Sequence, residues 1–195
     1  MKKEKIYGKS LKILSQIRMS KKAVDSLLKH NMQNFDWTSY TKRIAIKCSL
    51  SKLYDAWTKG SELERWFLKK VEFTNADNSS YEQDKNVVEN IQYTWYWYSY
   101  SEPMKGRITN VNNNNYIQFT FEGECLVDVN LEEVDEYVFV TLRHHNIPLD
   151  DISKQYVRLG CTNGWTFYLT NLKSIYEGGI DLRNKNEKFP PMLNN

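Results

Sequence analysis

The sequence is poor in cysteine and has no long apolar run. Its three cysteines, Cys48, Cys125 and Cys161, are far apart in a chain of 195 residues and odd in number. This pattern argues against a disulfide framework or a zinc cluster and is typical of a reducing compartment. No segment approaches the ~20 apolar residues of a membrane span, and the N-terminus lacks the apolar core of a secretory signal. We therefore expect a cytoplasmic protein without a transmembrane segment.

Catalytic signatures are also scarce. The sequence contains no HExxH pair, no glycine-rich phosphate loop and no GxSxG turn. His144 and His145 are neighbours on a predicted strand, so they point to opposite faces and cannot both bind one metal ion. Cys125 and Cys161 lie on predicted inward faces as small hydrophobic residues, and no base is evident beside either. We predict no catalytic residue, no metal and no cofactor, and we favour a protein that is not an enzyme.

The positive charge is concentrated at the start of the chain. Residues 1–35 contain nine lysines and arginines and two acids, whereas the remaining chain contains 18 basic and 22 acidic residues. The net charge of +3 therefore hides a mildly acidic body. Because the basicity is local, we predict no nucleic-acid binding from the overall charge.

Apolar residues at helical spacing predict an amphipathic helix between residues 10 and 30. These residues are Ile13, Ile17, Val24 and Leu27. Such a helix either docks its apolar stripe on the body or contacts an anionic membrane or a partner protein. We predict that residues 1–35 form a basic helical extension, residues 36–186 the main domain, and residues 187–195 a flexible tail.

Most of the main domain shows the two-residue alternation of strands. A first strand, Tyr40 to Cys48, is followed by two short amphipathic helices. The second of these begins with a predicted capping box, in which Ser61 caps the helix and Glu64 reaches back. Alternating segments separated by short turns then continue to about Leu142, which is typical of an antiparallel meander.

The chain ends in one long predicted helix, from about Ile152 to Glu177, capped by Asp150 or Asp151. Its apolar face consists of Val157, Cys161, Trp165, Tyr168, Leu172 and Ile175. The order of elements predicts an α+β fold. In this fold a curved antiparallel sheet of about six to seven strands wraps around the long helix.

One strand is strongly aromatic, with the sequence YTWYWYSY from Tyr93 to Tyr100. Tyr93, Trp95 and Trp97 share one face, which the polar residues of the other face predict to be the inner one. Bulky rings on the concave face of the curved sheet either fill the space as solid core or line a pocket for a flat, apolar ligand. The outward tyrosines are candidates for a partner surface.

The sequence resembles a bacterial member of the START-like helix-grip superfamily, in the branch named after the activator of the heat-shock chaperone ATPase. The resemblance covers about residues 36–186. It is carried by DWTSYTKRIAI, KLYDAWTKGSELERWF, YTWYWY, IQFTFEG, HNIPLDD and GCTNGWTFYLTNLKSIYEGG. It implies a cavity between the sheet and the C-terminal helix that holds apolar or amphipathic small molecules.

We therefore predict non-catalytic binding of a small hydrophobic, aromatic or lipid-like molecule in that cavity. The residues predicted to line it are Trp66, Tyr93, Trp95, Trp97, Phe119, Val127, Trp165 and Tyr168. One alternative is a protein-interaction module that modulates a chaperone ATPase. Another is an enzyme of cyclase or hydrolase type, which would need a polar group with an accessible path inside the cavity.

Overall fold

The computed structural model describes Ser26 and residues 35–195 of the chain. The chain divides after Asp36, and the unit Trp37–Asn195 contains all the strands and helices described below. The helix predicted between residues 10 and 30 lies outside the described residues, apart from Ser26. Within the described part, no helix is long and apolar enough to cross a bilayer.

Seven strands form one open antiparallel sheet. They are β1 (Tyr40–Ile46), β2 (Lys70–Thr74), β3 (Gln92–Tyr96), β4 (Met104–Val111), β5 (Tyr116–Thr120), β6 (Leu126–Val134) and β7 (Tyr137–His145). Their order across the sheet is β1-β7-β6-β5-β4-β3-β2. Strands β2 to β7 therefore form a simple meander, and β1 pairs with the last of them, in register from Tyr40 opposite His144 to Ile46 opposite Val138.

Alternation along the strands decides which side chains form the core. In β6, Val127 and Val129 are buried, while the intervening Asp128 is partly exposed and Asn130 is exposed. Buried and exposed residues alternate in the same way along β2, β3 and β7. A tight turn joins β6 to β7, and its Asp135 adopts a φ of 55°, a conformation that Asp tolerates better than most residues.

Two short helices, α1 (Leu50–Thr58) and α2 (Gly60–Trp66), lie between β1 and β2. Trp66 is fully buried, and its indole Nε1–H donates to the carbonyl oxygen of Ala56 at 2.8 Å. That carbonyl belongs to the last turn of α1, where backbone acceptors lack partners within their own helix. Trp66 thus links the two helices through a hydrogen bond, and this bond satisfies the carbonyl oxygen of Ala56, which would otherwise be buried without a partner.

The capping box predicted at the start of α2 is wrong. Ser61 lies inside the helix, and the Glu64 carboxylate accepts a hydrogen bond from the N–H of Val71 at 2.9 Å instead of reaching back. The free N–H groups at the helix start, those of Gly60 and Ser61, donate to the carbonyl oxygen of Gln83 at 2.8 and 3.3 Å. The backbone carbonyl of Gln83, in a loop distant in sequence, therefore caps α2 in place of the Ser61 side chain.

The long C-terminal helix begins as predicted, because Asp150 Oδ1 accepts a hydrogen bond from the N–H of Ser153 at 2.8 Å. Its first part, Ser153–Cys161, is a π-helix, and it continues directly into α3 (Thr162–Tyr176). Helix α3 contacts β1 and α2, and its buried apolar residues are Trp165, Leu169 and Leu172. The predicted α+β helix-grip arrangement is confirmed.

The C-terminal segment packs back onto this domain. The buried guanidinium of Arg183 donates to the carbonyl oxygens of Leu68 at 2.9 Å and Arg65 at 2.7 Å. The tail predicted to be flexible ends in a buried residue, Asn195, whose amide donates to Ser99 Oγ at 3.3 Å. These polar contacts with distant residues hold the segment, and its polar composition did not reveal them.

Candidate ligand cavity

A cavity of about 750 Å³ lies between the C-terminal helix and the ends of the neighbouring strands. This volume falls within the roughly 300–1,000 Å³ of small-molecule sites. One wall is formed by the helix, through Tyr156, Gly160, Cys161, Gly164, Trp165 and Tyr168. The other wall comes from the end of α2, the β3–β4 connection and the β5–β6 turn.

Two glycines keep the helix wall open. A Cβ atom added at Gly164 would meet no heavy atom within 4 Å, and one at Gly160 would come no closer than 3.6 Å to its nearest neighbour, the carbonyl oxygen of Gln155. Both glycines lie where the π-helix passes into α3. Glycine weakens a helix, and here its missing side chain leaves the space that a ligand would occupy.

The opposite wall is largely aromatic. Phe67 follows α2, Trp97 and Tyr100 follow β3, and Phe121 follows β5. Phe121 and Phe67 lie 5.0 and 5.3 Å from the Trp165 ring, measured between ring centroids. Rings from both sides therefore meet at the floor of the cavity and present apolar faces to it.

Three of the eight residues predicted to line the cavity do so, namely Trp97, Trp165 and Tyr168. The other five are buried but are not part of the cavity wall. They are Trp66, Tyr93, Trp95, Phe119 and Val127.

All five are core residues, and three of them, Tyr93, Trp95 and Phe119, pack against one another. Tyr93 stacks on Trp95 with ring centroids 3.9 Å apart, and the Tyr93 hydroxyl donates to the carbonyl oxygen of Thr120. Phe119 lies 5.3 Å from Trp95, edge to face. Tyr93, Trp95 and Phe119 point towards the core as predicted. Their rings pack against one another, so they leave no open space for a ligand beside them.

The cavity wall includes charged side chains, those of Glu102, Lys105 and Glu122, but not the indole N–H of Trp165. Trp165 is almost fully buried, and its indole Nε1–H has no hydrogen-bond partner among the described residues. Leaving a buried donor unpaired costs roughly 1–3 kcal/mol. The nitrogen is enclosed by packed side chains, so it is not exposed to the cavity.

Cys161 in the helix wall is not an activated nucleophile. Burial, followed by the nearby Glu122 and Cys125, raises the pKa of the Cys161 thiol to about 12. The thiol is therefore protonated at neutral pH, whereas the thiolate is the reactive form. Among the described residues, no group of three or more His, Cys, Asp and Glu side chains is placed to hold a metal ion.

His144, predicted to lie on a strand, is the last residue but one of β7. It is fully buried, with its Nδ1 3.0 Å from the hydroxyl of Tyr40 and its ring edge-on to Phe121. Burial lowers the pKa of His144 to about 4, and the charges of His145 and Arg158 act in the same direction. His144 is therefore a neutral core residue behind the cavity wall at neutral pH.

Sequence reasoning missed the lining residues that come from turns and glycines. Glu122 and Gly123 line the cavity from the β5–β6 turn, with φ angles of 55° and 78°. The alternation of side chains applies only within strands, so it cannot predict that these turn residues line the cavity. One signal was available, since Gly160 and Gly164 lie four residues apart in a predicted helix, where glycine is unfavourable and suggests a requirement for space.

An open antiparallel sheet with one long C-terminal helix packed on it and a cavity beside that helix defines the helix-grip class. The chain belongs to the family described as "Activator of Hsp90 ATPase homolog 1-like protein", whose model matches residues 47–177. The family predicted from the sequence is thereby confirmed. No curated protein matches the chain.

Several solved structures share the fold. A protein from Staphylococcus saprophyticus is 17% identical with a TM-score of 0.60, covering 80% of this chain and 98% of its own. The Aha1 dimer from Colwellia psychrerythraea is 21% identical with a TM-score of 0.56, covering 72% of this chain and 97% of its own. An HSP90 activator from Plasmodium falciparum is 22% identical with a TM-score of 0.51, covering 71% and 95%.

Proposed function

We infer that the protein binds a small hydrophobic or aromatic molecule, without catalysis, in the cavity beside the C-terminal helix. The observation that carries this inference is the 750 Å³ space with aromatic rings on both walls. Such a site buries a flat apolar ligand well.

Gly164→Phe is expected to weaken ligand binding at least tenfold, which corresponds to about 1.4 kcal/mol or more. The added ring extends into space that contains no protein atom within 4 Å of the new Cβ, so it occupies the ligand's volume with little strain. The measurement is calorimetric titration with 2-naphthalenemethanol, a neutral aromatic probe. Replacing glycine within a helix also favours the helix, so a folding defect is not expected.

Thr166→Phe is the matched control, because Thr166 lies on the exposed side of the same helix. It adds the same ring outside the cavity and should leave the affinity within about twofold of the unsubstituted protein. Equal affinities of the Gly164→Phe and Thr166→Phe variants for the probe would show that the probe binds elsewhere.

A second candidate function is modulation of a chaperone ATPase, suggested by the family description and by the likeness to an HSP90 activator. Exposed apolar side chains in the first part of the C-terminal helix, including Ile152 at 72% and Leu159 at 50% exposure, suit a protein contact. Adding the protein to a purified Hsp90-type ATPase tests this candidate. An unchanged ATPase rate, together with no capture of the chaperone, would remove it.

A further inference from the structure

The cavity wall carries an unpaired carboxylate. Glu122 lines the cavity, and no hydrogen bond or ion pair links its carboxylate to another group in the described part of the chain. Glu124, two residues further along the same turn, lies outside the cavity and is paired with Arg107 at 2.8 Å. One turn therefore holds one acid that is neutralised by the protein and one that is not.

The surroundings of Glu122 disfavour the ionised form of its carboxyl. Glu122 is at the solvent-accessible rim, yet the surrounding side chains partly desolvate it and raise the pKa of its carboxyl. The hydrogen bond from Arg107 has the opposite effect on the pKa of Glu124. A cation placed in the cavity would stabilise the ionised form of Glu122 in the same manner.

The aromatic wall is suited to the same charge. A cation within about 6 Å of an aromatic face is attracted by the ring quadrupole. In the described part of the chain, the arginines and lysines that approach rings do so outside the cavity, as Arg158 does over Tyr40 at 4.9 Å and Arg183 does near Tyr98 at 5.9 Å. Among the described residues, no arginine or lysine lies over the ring of Phe121 or Trp165, both of which line the cavity.

The remaining charges of the wall do not reverse this preference. Glu102 and Lys105 both line the β3–β4 side and add one negative and one positive charge to the wall. Glu122 on the β5–β6 side then leaves the wall with a net negative charge. An anionic ligand would be attracted by Lys105 alone and repelled by the two carboxylates, so the charges of the wall favour a cation.

We propose that the ligand carries one positively charged nitrogen, a protonated amine or a quaternary ammonium, bound between Glu122 and the aromatic rings of the wall. Its flat or hydrophobic body lies along the aromatic floor of the cavity. This proposal rests on the proposed function and adds the chemical class of the ligand. No covalent step is involved.

The test compares three probes that share one ring system and differ in charge. They are 2-naphthylmethylamine, 2-naphthalenemethanol and 2-naphthoate, each titrated calorimetrically at neutral pH. The amine is expected to bind at least tenfold more tightly than the alcohol, and the carboxylate more weakly than both. Glu122→Gln should reduce the affinity for the amine to about that for the alcohol, while Glu124→Gln, the matched control, should preserve the difference.

The outcomes separate the two proposals. If the alcohol binds and Gly164→Phe blocks it, but the amine binds no more tightly, the cavity is a ligand site and the cationic ligand class is wrong. The cationic class is also wrong if the preference for the amine survives Glu122→Gln. If none of the three probes binds, both the ligand class and the proposed function are overturned.

Discussion

Trp66→Ala is expected to lower the free energy of unfolding by about 4 kcal/mol, near the middle of the range for large aromatic residues in cores. Trp66 is fully buried, and its ring packs against Trp57 at 4.7 Å and Phe67 at 5.1 Å between centroids. The substitution leaves a void among these rings and removes the hydrogen bond to Ala56. Denaturant unfolding followed by circular dichroism measures the loss.

Trp97→Ala is the matched control, because it removes the same side chain from a half-buried position in the cavity wall. Its loss should be less than half that of Trp66→Ala, since space already exists beside the ring. The two substitutions thus distinguish the packed core from the cavity wall. Similar losses at both positions would contradict the assignment of Trp66 to solid core.

The second large effect is an acid destabilisation caused by His144. The unfolded chain binds a proton on this histidine below about pH 6.5, whereas burial delays protonation in the folded protein to about pH 4. Between these values the unfolded state binds more protons, so stability falls as the pH is lowered through this window. The shift corresponds to about 3 kcal/mol, fully retained above pH 6.5.

The measurement is the free energy of unfolding at several pH values from 7.5 to 4, for the native sequence and for His144→Gln. Glutamine does not titrate and can still form a hydrogen bond with the Tyr40 hydroxyl. Because other groups titrate in both proteins, the difference between the two curves isolates His144. Parallel curves across the window would show that His144 is not buried as a neutral ring.

The main elements of the fold could be predicted from the sequence because their signals are local. Alternation placed Val127 and Val129 on the inner face of the sheet, and helical spacing placed Trp165 and Leu172 on the buried face of the long helix. The start of α2 could not be predicted in the same way. Its N–H groups bond to Gln83, some 20 residues away, and no local pattern reports such a partner.

The cavity was harder to predict than the sheet. The alternation of side chains along a strand shows which rings point towards the core. It does not show whether neighbouring rings leave open space beside them. Trp95 faces inward and is covered by Tyr93 and Phe119, while Trp165 faces inward beside open space left by Gly164. Whether a ring fills or lines the concavity depends on packing between distant segments.

The most direct test of a ligand site beside the C-terminal helix is to follow the indole N–H signals of the tryptophans by NMR during titration with 2-naphthalenemethanol. A ligand site in this cavity predicts large shifts for Trp97 and Trp165, which line it, and small shifts for Trp57 and Trp66, which lie in the packed core. Equal shifts at all four tryptophans, or saturable binding that moves neither Trp97 nor Trp165, would contradict it.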